Sequence, residues 1–228
     1  MFFSDASRTE RFVVQLSAMK TIRTFLAIPL PAPLAHSASD WIHEMKGSVE
    51  QNRPTPEKRS TVSPPSTNSA MGIKWVPEDN LHLTLKFLGE VENIEIPKIC
   101  DVAAEVCEQF DPFELNFVGA GFLPDVDRAR VLIAKIEDPT ESLTAMVRLF
   151  EDRYADLGFK RESRDYVPHL TLGRARSGSR RVPQKAIDLW QRHENDPLGE
   201  MTARSIQVIG SFLEKRGPTY NVMNTVEL

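Results

Sequence analysis

His82-Leu83-Thr84-Leu85 and His169-Leu170-Thr171-Leu172 are the same four residues, 87 positions apart in a chain of 228. A repeat at that distance suggests two related lobes, not a stack of short repeats. Side chains alternate between the two faces of a strand. His82 and Thr84 are therefore expected on one face, with Leu83, Leu85 and Phe87 on the other. His169 and Thr171 stand against Leu170 and Leu172 in the same way. Each copy follows a loop, Asp79-Asn80 before the first and Asp165-Tyr166-Val167-Pro168 before the second. Two such leucine-anchored strands facing one cleft would surround a small ligand with two imidazoles and two hydroxyls.

A single copy reads as an ordinary half-buried strand; the pair points to chemistry. Splitting a cyclic phosphodiester with water needs one group to take a proton and another to give one. Imidazole titrates near neutrality and does either. The transition state carries extra negative charge on its non-bridging oxygens, and threonine hydroxyls donate hydrogen bonds to such oxygens. Two histidines sharing the proton work need no metal, so neither a metal nor a cofactor is expected.

The flanking sequence supplies a mixed α+β pattern. Residues 1–18 read as an N-terminal extension, with Met19 a candidate start. A strand then ends at Pro29, and a helix over 31–46 carries Leu34, Ala38, Trp41, Ile42 and Met45 on one stripe and stops at Gly47. Residues 48–70, rich in Pro, Ser and Thr, read as a mobile insertion loop. Beyond it, strands are expected at 73–76, 81–88 (ended by Gly89), 113–118, 130–136, 166–172, 201–208, 210–214 and 219–226. Helices are expected at 94–110, 139–157 and 183–193. Residues 19–228 thus form one domain.

Composition narrows the function. The net charge is −4, which argues against a large non-specific nucleic-acid surface but not against a local phosphate site. Residues 92–114 hold seven acids and one base, whereas residues 160–185 hold eight bases and two acids and bracket the second motif. Arg174, Arg176, Arg180 and Arg181 in that block suggest a grip on an RNA tail. Cys100 and Cys107 make neither a disulfide framework nor a zinc site and read as reduced thiols. No apolar run is long enough for a membrane span, and no signal-peptide pattern is present, so a cytoplasmic protein is expected. His36, His43 and His193 read as surface histidines, and no glycine-rich phosphate loop supports ATP use.

On these residues the chain resembles the two-histidine phosphoesterase superfamily, whose signature is a pair of His-x-Thr-x motifs. It looks most like the bacterial and archaeal RNA 2′,3′-cyclic phosphodiesterases, also called 2′-5′ RNA ligases. The anchors are Arg23 to Pro29, Asn80 to Glu90, Pro168 to Arg174, and the closing Ser211-Phe212-Leu213 with Gly217-Pro218-Thr219-Tyr220. The resemblance implies a bilobal α+β fold, two pseudo-symmetric lobes of mainly antiparallel sheet around a cleft. It implies that His82 and His169 are catalytic, His169 as the base on water and His82 as the acid on the leaving ribose oxygen. Thr84, Thr171 and Arg174 would bind phosphate. Arg174 stands an odd number of residues from His169, so it reaches the cleft only if the strand bends or ends at Gly173. Phe25 and Tyr166 are open to two readings, stacking on a base or packing in the core.

The expected reaction is hydrolysis of an RNA 2′,3′-cyclic phosphate end to a 2′-phosphate by a monomer. Two alternatives use the same cleft: 2′-5′ ligation, and nucleotide binding without turnover. Water at ~55 M favours hydrolysis over ligation unless the second strand is tightly held.

Overall fold

The computed structural model describes residues 20–50, 72–176, 181–214 and 217–228. The extension expected over 1–18, Met19, residues 51–70 of the expected insertion, and Arg180 lie outside the described residues. Nine strands and four α-helices are described. In chain order they are β1 (Thr21–Pro29), α1 (Ala32–Glu50), β2 (Ile73–Trp75), β3 (His82–Glu92), α2 (Ile96–Cys107), β4 (Phe113–Leu123) and β5 (Val131–Glu137). There follow α3 (Ser142–Asp156), β6 (His169–Ala175), α4 (Gln184–Trp190), β7 (Gly199–Ala203), β8 (Ser205–Glu214) and β9 (Gly217–Glu227).

The strands form two antiparallel sheets, ordered β3-β1-β8-β9 and β2-β6-β5-β4-β7. His82 opens β3 in the first sheet and His169 opens β6 in the second, so each lobe contributes one motif. The helices are exchanged between lobes. Helix α1 leaves the first sheet yet packs on β7 and α4 of the second; α3 leaves the second yet packs on α2 and β3 of the first. Both sheets thereby have one face covered by apolar helix stripes, which is what makes their leucines core residues: Leu83, Leu170 and Leu172 are fully buried. Under the second sheet, Trp190 packs on Trp41 and Trp75, with ring centroids 5.7 and 6.3 Å away. Helix α3 begins where the Asp138 carboxylate accepts the backbone N–H groups of Leu143 and Thr144, at 3.3 and 2.9 Å.

Two departures from simple alternation lie inside the two motifs. Between β1 and β3 the register steps from Ala27↔Thr84 to Leu26↔Lys86, so Leu85 is an extra residue. Between β5 and β6 it steps from Ile133↔Thr171 to Leu132↔Gly173, so Leu172 is extra. The same position of both copies is therefore a β-bulge, and a bulge inverts the parity of everything beyond it. Lys86 joins Leu85 on the buried face, and Phe87 emerges beside His82 and Thr84, not with the leucines as alternation had placed it. Gly173 joins Leu172 in the core, and Arg174 emerges on the face of His169 and Thr171. Arg174 thus reaches the cleft because the strand bulges at Leu172, beside the bend expected at Gly173, and the strand does not end there but runs on to Ala175. Gly173 instead permits close packing, since a Cβ there would stand 2.8 Å from Ile73 Cγ2 and 2.9 Å from Trp75 Cε3.

Other boundaries differ for local reasons. Strand β3 runs through Gly89 to Glu92, because Gly89 takes φ +82° at a second bulge where Leu88 is extra. Helix α1 continues past Gly47 to Glu50; an exposed glycine weakens a helix without ending it. The break between the last long strands falls at Arg204, where the chain crosses from β7 to β8, and not at Ile209. His193, expected on the surface, is only 8% exposed, stacked on Trp41 with centroids 4.8 Å apart and bonded to Asp196 at 3.0 Å.

Candidate active site

The two motif histidines are held alike. His82 Nδ1 lies 2.8 Å from the carbonyl oxygen of Asn80, and His169 Nδ1 lies 2.7 Å from that of Val167. In each case the acceptor is two residues upstream, in the loop that precedes the strand. A carbonyl only accepts, so each Nδ1 carries the proton and each Nε2 is left with a lone pair. The loop before His82 is itself fixed, since Asn80 Nδ2 donates to the Pro218 carbonyl at the start of β9, at 3.3 Å.

Both imidazoles titrate below the ordinary histidine value. Burial of the ring is the main cause in each; the upstream carbonyl opposes it, and the positive charge of Arg174 adds to it. Arg174 therefore stands within electrostatic reach of both histidines, from opposite lobes. Its Nη2 also donates to Thr171 Oγ1 at 3.4 Å. Thr84 and Thr171 are half-buried on the faces that carry His82 and His169. The structure thus brings together His82, His169, Thr171 and Arg174, with Thr84 beside His82.

Tyr220, on β9, is a neighbour that strand reading did not single out as a site residue. Its ring meets His82 edge-on with centroids 5.3 Å apart, and burial raises its phenol pKa while Arg174 lowers it. Its signal was the closing Gly-Pro-Thr-Tyr, but only the β8–β9 hairpin brings it to the cleft. Phe25 lies beneath these groups, 4.9 Å from the His82 ring and 5.2 Å from Tyr220. At 2% exposure it has no free face, so it packs the histidine and does not offer a base platform. Tyr166 is tethered as well: its hydroxyl donates to the Thr84 carbonyl at 3.1 Å, and its ring packs on the core.

Of the basic block, Arg176 is exposed, while Arg181 Nη1 donates to the Asp127 carbonyl at 3.1 Å. His36 lies 3.7 Å from Glu78, and His43 bonds the Ser39 carbonyl at 2.8 Å. Among the described residues, no three His, Cys, Asp or Glu side chains converge as a metal site. No described helix is long and apolar enough to cross a membrane.

Comparison with known proteins gives the chain its relatives. A family model described as LigT like phosphoesterase matches residues 65–133 and 135–220. An RNA 2′,3′-cyclic phosphodiesterase of Methanothermobacter thermautotrophicus is 33% identical over 156 residues, covering 68% of this chain and 83% of that one. A protein of the same name from Aquifex aeolicus is 30% identical over 151 residues, 66% of this chain and 79% of its own. The crystal structure of TT0787 of Thermus thermophilus aligns with a TM-score of 0.65 at 24% identity, over 91% of this chain and 98% of that one. E. coli LigT complexed with 3′-AMP aligns with a TM-score of 0.66 at 21% identity, over the same shares.

Proposed function

The chain belongs to the LigT-like phosphoesterase family, and from that premise we propose that it hydrolyses 2′,3′-cyclic phosphate ends of RNA to 2′-phosphates. The matched tethering of two imidazoles carries this reading. Each Nδ1–H is committed to a backbone carbonyl, which orients each Nε2 as the reactive nitrogen. Burial and Arg174 favour the neutral ring, the form a general base needs near pH 7. A bound phosphate anion offsets the Arg174 charge and lets the second ring hold its proton.

In this mechanism His169 Nε2 takes a proton from water as the water oxygen bonds to phosphorus. The P–O3′ bond breaks, and His82 Nε2–H protonates the departing O3′. The product is a 2′-phosphomonoester beside a free 3′-hydroxyl. Thr84, Thr171 and Arg174 donate to the non-bridging oxygens, where charge accumulates, and the Arg174 bonds are charge-assisted. The proton transfers are complete without a metal. The enzyme is proposed to act as a cytoplasmic monomer, a location that the free thiols of Cys100 and Cys107 support.

The test is product analysis of an RNA oligomer ending in a 2′,3′-cyclic phosphate, incubated with the protein in excess EDTA. Conversion to a 2′-phosphate end that is lost in His82→Ala and in His169→Ala is expected. A 3′-phosphate product, or turnover that survives either substitution, overturns the mechanism. Dependence on added metal overturns its metal independence.

A further inference from the structure

We infer that Lys74 is a second phosphate-binding residue, which takes the phosphate on the 5′ side of the terminal nucleotide and so selects RNA ends over cyclic mononucleotides; this rests on the cyclic-phosphate reading above. Strand β2 is three residues long and lies at the edge of the second sheet. Ile73 and Trp75 are buried in the core, and Lys74 between them is exposed on the other face. In register, Lys74 stands opposite Arg174, as Trp75 stands opposite Gly173. The bulge at Leu172 puts Arg174 on the face of His169 and Thr171, so Lys74 shares that cleft face.

Two cations directly opposite each other on one face of a sheet repel and cost stability. The first lobe obeys the usual pairing, with Arg23 opposite Glu90 and its Nε 3.8 Å from that carboxylate. Among the described residues, neither Lys74 nor Arg174 pairs with a carboxylate, and Arg174 Nη2 donates to Thr171 Oγ1 at 3.4 Å. Local rules are broken in this way at functional sites, and an anionic ligand is what balances a pair of cations. One phosphate does not serve both. Arg174 reaches back along β6 to Thr171, towards the histidines, whereas Lys74 stands on the neighbouring edge strand, about 4.7–4.9 Å away across the sheet. An RNA end carries two anions on its last ribose, the cyclic phosphate at the 2′ and 3′ oxygens and the phosphodiester at the 5′ carbon. With the cyclic phosphate held by Thr84, Thr171 and Arg174, the 5′ phosphate is the next anion along the strand. A cyclic mononucleotide has no group for Lys74 to take.

The test compares adenosine 2′,3′-cyclic phosphate with its 5′-phosphorylated form, which differs only by that phosphate. Wild type is expected to favour the 5′-phosphorylated substrate by about tenfold in kcat/KM at low salt, mostly through KM. The advantage should shrink as salt is added, as a phosphate contact does. Lys74→Gln is expected to bring the ratio close to one, and Lys74→Arg to keep most of it. A wild-type ratio near one, or a ratio that Lys74→Gln leaves unchanged, overturns the inference. Equal loss on both substrates in Lys74→Gln does so too, since it would place Lys74 on the scissile phosphate. If wild type opens neither substrate, the proposed activity fails, and Lys74 is judged by binding of adenosine 2′,5′-bisphosphate against adenosine 2′-phosphate. A preference for the bisphosphate that Lys74→Gln abolishes would uphold it; no preference, or one that survives the substitution, would overturn it.

Discussion

The Tyr166 hydroxyl donates a hydrogen bond to the backbone carbonyl of Thr84, 3.1 Å away, and so ties the loop before one motif to the strand of the other. Strand β3 lies at the edge of its sheet, so the carbonyls on its outer side have no strand partner. Tyr166 supplies a donor to one of them from the opposite lobe. Burial raises its phenol pKa and keeps it a donor throughout the neutral range. Tyr166→Phe is expected to lower stability by about 1 kcal/mol, the net worth of one such bond, measured by urea unfolding. Turnover should fall as well, because Thr84 and His82 share that strand.

Lys86 makes the second tie. The bulge buries it, with its ammonium 2.6 Å from Glu151 on α3 and 3.2 Å from the Lys160 carbonyl. Its side chain is 2% exposed and that of Glu151 is 18% exposed. Removing one member of such a pair leaves an uncompensated charge, so Lys86→Met is expected to cost about 3–5 kcal/mol. The double variant Lys86→Met with Glu151→Leu should recover most of that. A double-mutant cycle from denaturant titrations reads the coupling, and additive losses would show that the pair contributes nothing.

Much of this arrangement was legible in the sequence, and the rest failed for two physical reasons. The repeated motif identified His82, His169, Thr84 and Thr171 as a candidate set, and alternation put their leucines in the core, where Leu83, Leu85, Leu170 and Leu172 are found. Alternation fails at a bulge, and nothing local in Thr-Leu-Lys-Phe or Thr-Leu-Gly-Arg announces one. Alternation therefore places Phe87 with the leucines, and Arg174 reaches the cleft by a bulge in the strand at Leu172, one residue before the expected bend or end at Gly173. Tyr220 and His193 were hidden for another cause. Their partners, His82 and Trp41, are more than 100 residues away along the chain, and only tertiary packing brings them together.

Gly173 allows Trp75 and Ile73 of β2 to close against β6. Gly173→Ala is expected to cost about 1–3 kcal/mol, the usual penalty for overpacking a filled core. The cost should appear as a lower Tm. Activity should fall further than stability alone explains, because Arg174 is the next residue on the strand. Unchanged stability would mean that the Trp75 ring shifts without cost.

Burial sets most of the pH range in which the histidines work, and Arg174 adds to it. Its positive charge lowers both imidazole pKa values, adding to the effect of burial. The free enzyme is productive when one ring is neutral and the other protonated, so kcat/KM should peak on the acidic side of the ordinary imidazole value of about 6.5. Removing the charge makes protonation easier at both rings, so both pKa values rise. Arg174→Gln should therefore move both limbs of the kcat/KM profile to higher pH. It should also lower the maximum by about 100-fold, as expected when a charged donor to the transition state is lost. Arg174→Lys keeps the charge but loses the planar fork of donors, so its profile should stay where the wild-type profile lies, at reduced height. A Gln profile that stays in place or moves to lower pH would mean that Arg174 acts on the phosphate alone and leaves the histidines untouched.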